Sequence, residues 1–119
     1  MTDAGGDPTS LRLKLTLGPV LFLWDEDRWR DFYFRIADEA EVDTVVIGAT
    51  VCSKREHFHA PSIDEVAERL TRAGKEVRLA SLALVTSSRE RKSVRRIAAQ
   101  DRFEVEVGEL SAVPQLRRR

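Results

Sequence analysis

In the stretch "LRLKLTLGP", leucines at 11, 13, 15 and 17 alternate with polar residues. That period of two predicts a half-buried strand, closed by Gly18 and Pro19. The pattern then changes. In "DEDRWRDFYFRIADEA", Trp29, Phe32, Tyr33 and Ile36 recur at three- and four-residue spacing, and Asp25, Glu26 and Asp27 crowd the start. This predicts an amphipathic helix whose first turn carries the charge its dipole favours, with Trp29 and Tyr33 in the core. "DTVVIG" is a short apolar, β-branched run ending in glycine, the signature of a strand buried on both faces. "PSIDEVAERLTRAG" offers Ser62 as N-cap with Glu65 three residues on, places Ile63, Val66, Ala67 and Leu70 on one face, and stops at Gly74. "EVRLASLALV" predicts a third strand, "SSRERKSVRRIAAQ" a third helix with a basic outer face, and "RFEVEV" a fourth strand alternating Phe103, Val105 and Val107.

Strand and helix therefore alternate three times before a final strand. Short links between such units imply right-handed crossovers and a parallel sheet. The expected fold is α/β, a partial (β/α) barrel of four parallel strands alternating with three helices. Residues 1–10 have nothing to bury and read as a disordered leader. The N-terminal half of a barrel-like domain occupies 11–113, and 114–119 form a basic tail. No glycine-rich phosphate fingerprint follows any strand, which argues against a dinucleotide-binding fold. Half a barrel leaves two open strand edges and one uncovered sheet face, an aggregation hazard unless something covers them.

Composition narrows the function classes. The chain has 119 residues, enough for one modest core. Its 20 basic residues balance 20 acidic ones. A net charge of zero gives no electrostatic reason to expect nucleic acid or an anionic membrane as partner. No apolar run approaches the ~20 residues needed to span a bilayer. No signal peptide is visible, and a single cysteine excludes an internal disulfide framework, so the expected compartment is the cytoplasm.

That cysteine, Cys52, follows the second predicted strand, on the side where α/β proteins gather functional groups. Lys54 and Arg55 come directly after it and favour the thiolate, the form that binds metal or attacks carbon. A buried structural thiol is the competing reading. His57 and His59 flank Phe58 and form a loose Cys-x4-His-x-His cluster with Cys52, but no further ligand is fixed by spacing, and solvent-facing loop histidines account for the pair. Ser81, Ser87 and Ser88 form no arguable triad, and helix capping explains Ser87 and Ser88. Glu104 and Glu106 alternate with core positions and are expected to face solvent, with a barrel interior as the alternative.

The segments "LTLGPVLFLW", "DFYFRIADEAEVDTVVIG", "VCSKR", "AGKEVRLASLALV" and "FEVEV", in this order, resemble the N-terminal part of the collagenase-like peptidase family, in its branch that serves oxygen-independent ubiquinone biosynthesis. The resemblance runs from about Leu13 to about Val113. It implies a barrel-like α/β fold, a [4Fe-4S] cluster held by four cysteines, and a UbiU-like protein as heterodimeric partner in ubiquinone-ring hydroxylation without oxygen. The cysteine of "VCSKR" is the first cluster ligand in that family and maps onto Cys52. The other three ligands lie in a C-terminal half that this sequence lacks, and one cysteine cannot hold a cubane cluster that takes about four. A separately encoded C-terminal half is a second implied partner. Two further departures stand out: Ala49 replaces a common Glu, and Glu109-Leu110-Ser111 replaces the family's acidic-Leu-Gly. The resemblance implies no catalysis by this chain alone. A cysteine-dependent peptidase with Cys52 as nucleophile, a non-catalytic partner module, and the product of a decayed gene are the alternatives.

Overall fold

Four parallel strands form one sheet in the order β1-β2-β3-β4 (Thr16–Leu17, Thr44–Ile47, Glu76–Ala80, Glu104–Glu106), with helices α1 (Glu26–Glu39), α2 (Glu56–Arg72) and α3 (Ser88–Ala99) between them. The computed structural model describes residues 12–48 and 56–116, with side chains over 12–48 and 61–116. The fold is the α/β alternation expected from the sequence. The sheet is open rather than closed into a barrel, with β1 and β4 as its two edges. Spatial order equals sequence order, so every crossover turns the same way. Right-handed crossovers then lay all the helices on one face.

Register shows what each face is made of. Leu17, Val45 and Val77 align across the first three strands, and Ile47, Leu79 and Val105 align across the last three. These two rows point at the helices. Val45, Ile47 and Val77 join Trp29, Tyr33 and Ala37 of α1 and Val66, Ala67 and Leu70 of α2 in one core. The Trp29 and Tyr33 rings meet edge to face at 4.8 Å, an arrangement that adds to the area they bury. The rows on the other face are Thr16-Thr44-Glu76, Val46-Arg78-Glu104 and Ala80-Glu106. The central strand is buried on both faces, as its unbroken apolar run predicts.

Local signals explain the helix ends. Asp25 caps α1 by accepting from the Arg28 N–H at 2.8 Å. Ser87 and Glu90 form a reciprocal capping box on α3. Gly74 stops α2 at φ 86°, with the Gly74 N–H donating to Thr71 and the Lys75 N–H to Leu70. Lys75 then donates from Nζ to the Ala40 carbonyl at 2.7 Å, tying the start of β3 to the end of α1.

Three sequence expectations change. Helix α2 begins at Glu56, not after Pro61, so Ser62 is a buried helix residue rather than an N-cap. Spacing alone cannot show that the chain is already helical one turn upstream, at the cost of the bond Pro61 has no N–H to make. The first strand shrinks to Thr16–Leu17, and Leu13 and Leu15 stand 83% and 52% exposed. Pairing there is set by Asp43, whose carboxylate accepts from the Leu15 N–H at 2.8 Å and from Arg12 at 2.7 Å. The Leu15 backbone bond, and then the Arg12 guanidinium, hold the Asp43 carboxyl below its ordinary pKa. Finally, a 3-10 helix, Leu110–Gln115, follows β4 and packs on α3 through the buried Ala112. It runs across the boundary drawn at 113.

Candidate functional site

A parallel sheet directs all its strand C-termini to one rim, and the loops there carry function in folds of this class. The backbone at this rim is tightly set. Gly48, directly after β2, has φ 121°, and a Cβ there would lie 3.1 Å from the Ala80 carbonyl oxygen. Gly108, after β4, runs closer still: a Cβ would meet the Ser81 carbonyl oxygen at 2.6 Å. Beyond the ladder, the Ser81 N–H donates to the Glu106 carbonyl at 3.0 Å, and the Ser81 hydroxyl accepts from the Gly108 N–H at 2.8 Å. Ser81 is buried and its hydroxyl fastens two strands together, which is a structural task. Ser87 is a helix cap, and Ser88 is the first residue of α3.

Cys52, Lys54 and Arg55 lie outside the described residues. In sequence they stand between the end of β2 and the start of α2. His57 and His59 belong to the first turn of α2 and not to a loop. Positions two apart on a helix are roughly 200° apart around its axis, unlike the four-residue spacing by which one helix presents two histidines to a metal. Among the described residues, no group of three His, Cys, Asp or Glu side chains is placed to hold a metal ion. With one cysteine in the chain, the donor set does not fit a complete [4Fe-4S] site.

Glu104 and Glu106 are exposed, as expected. They stand on the face away from α1 and α2, the face that becomes the interior when such a sheet closes. Beside them, Arg78 donates from Nε to Glu76 at 2.8 Å. A barrel interior is normally packed with branched apolar side chains, so this face is unusually charged for one.

Sequence reasoning missed the apolar character of the rim. Leu21, Phe22 and Leu23 after β1, Leu84 after β3, and Leu110 and Val113 after β4 are all exposed. The run "LFLW" and the isolated Leu84 carried the signal. A solvent-facing rim of this kind is suited to contact with another apolar surface.

No protein-family model matches the chain, and no solved structure matches it. No helix among the described residues is long and apolar enough to cross a membrane.

Proposed function

We propose that this chain is a UbiV-like protein covering the N-terminal part of that protein, and that it acts in oxygen-independent ubiquinone biosynthesis. In this reading it contributes Cys52 to a [4Fe-4S] site completed by thiolates from another polypeptide, a separately encoded C-terminal half. A UbiU-like protein is the heterodimeric partner, and the compartment is the cytoplasm. The observation that carries the reading is the "VCSKR" motif, which in sequence begins four residues after the end of the second strand of a parallel sheet wound in one direction. The assembly supports ring hydroxylation, and this chain performs no catalysis alone. The exposed apolar rim favours a second reading, a non-catalytic partner module.

The test is co-expression with a UbiU-like protein and a C-terminal half, followed by purification without oxygen. The expected complex carries iron and the brown absorbance of a cluster. Cys52→Ser is expected to lose both while the far-ultraviolet circular dichroism of the chain stays unchanged. Iron retained in that variant overturns the ligand assignment.

A further inference from the structure

The two margins of the sheet are complementary to each other, yet one copy cannot bring them together. At the β1 margin, α1 turns Trp29, Tyr33 and Ala37 into the core. It meets α2 through Asp38, bound to Arg69 at 2.7 Å, and Phe34, with the Arg69 guanidinium 4.8 Å from its ring centre. Phe32 is two residues from Phe34, hence on roughly the opposite flank of the helix. There Phe32, Ile36 and Trp24 line a groove of about 780 Å³. Its rim carries four carboxylates, Asp25, Asp27, Asp31 and Glu39, against two guanidinium groups, Arg28 and Arg35. Outside the groove lining, Phe22 stacks on Trp24 at 6.2 Å and is 69% exposed.

The β4 margin presents the converse. Leu110, 82% exposed, and Val113, 50% exposed, lie three apart on the 3-10 helix. In that helix such positions eclipse and form one apolar ridge. Neighbouring α3 exposes Arg91, Lys92 and Arg95, while Glu104 and Glu106 stand on the sheet face away from the α1–α2 core and the Glu109 carboxylate accepts from the Ser111 N–H. An apolar ridge with a basic flank on α3 matches an apolar groove with an acidic rim. Both margins are edges of the sheet that the described residues form. They lie three strand spacings apart, roughly 14 Å, so the match can be satisfied only between molecules.

We infer that a second copy of this chain docks its Leu110–Val113 ridge in the groove beside α1. A twofold axis repeats the contact and closes the pair. The association draws on no cluster, and it occupies the rim residues Phe22, Leu110 and Val113 that favour the partner-module reading, so self-association and binding of a different partner compete for one surface.

Sedimentation velocity on the full chain tests it, between about 1 and 100 μM, a range in which standard-size interfaces separate. The expected species has twice the chain mass and shifts toward the monomer as salt rises. Two exposed-site variants probe the two margins: Phe22→Asp beside the groove with Asp31→Arg on its rim, and Leu110→Asp with Val113→Asp on the ridge. Each is expected to be monomeric with unchanged circular dichroism. Mixing the two restores one of the two contacts, so a dimer population returns that neither variant shows alone. A wild-type chain that stays monomeric at the highest concentration overturns the proposal. So does a dimer that survives either variant, or a mixture that fails to associate.

Discussion

The two faces of the sheet are built from the same short strands and do opposite things. Toward the helices, Val45, Ile47 and Val77 disappear into a core with Trp29, Tyr33 and Leu70. Away from them, Val46 and Ala80 are buried, but Glu76, Glu104 and Glu106 stand exposed beside a partly buried Arg78. One-directional winding produces this asymmetry, because it spends every helix on the same side. The aromatic core lies on one face, while the other combines the buried Thr44, Val46 and Ala80 with charges at Glu76, Glu104 and Glu106 that a packed core would reject. The lesson is that an open sheet of this kind keeps its aromatic core and its charges on separate sides of a single layer.

The comparison breaks most readily on the helix side. Trp29→Ala removes a buried ring at the centre of the core and is expected to cost about 3–5 kcal/mol, enough to unfold a domain of marginal stability; urea denaturation measures it. A variant that melts like the wild type would mean that the core lies elsewhere.

A smaller effect sharpens the same side. Burial pushes the Tyr33 hydroxyl up to about 12, against a lesser opposing pull from the Val20 N–H, which donates to it at 3.4 Å. The protonated phenol is thus the form the fold prefers. Its contribution is complete below the unfolded value near 10 and is lost as the pH rises from there through about 12. Tyr33→Phe is expected to cost about 1 kcal/mol at neutral pH and to flatten the stability curve between those two values. An alkaline limb identical in both proteins would show that Tyr33 titrates over the same pH range in the folded and unfolded chains.

The smallest effect belongs to the charged face. Glu104→Gln and Glu106→Gln are expected to leave stability within about 0.5 kcal/mol, read from the same urea transitions. A loss approaching that of Trp29→Ala would mean that the charged face is part of the folding core after all.

Legibility in the sequence followed the range of the signal. The three- and four-residue recurrence of Trp29 and Tyr33, the helix cap at Ser87 and the Gly74 stop are fixed within one or two turns of chain, and each is found where the pattern puts it. The leucine alternation at 13 and 15 is equally regular and yet exposed, because a period of two states which residues share a face and not whether anything covers it. The start of α2 escaped because a local capping pattern around Ser62 looked sufficient. At the candidate site, the task of Ser81 depends on Gly108, 27 residues away, and no spacing rule reaches that far. Cys52 was legible only as a residue type beside two cations, and it stays an assignment by resemblance.

The strand order has a kinetic consequence. Each strand pairs with the strand before it in the sequence, so β2 meets β1, β3 meets β2 and β4 meets β3 without waiting for any distant segment. Each pairing still closes a loop of about thirty residues, Thr16 against Thr44, Thr44 against Glu76 and Arg78 against Glu104, so every unit pays a similar closure entropy before its strand pairs. The layer can grow from its first unit outward, in the direction in which a ribosome delivers it.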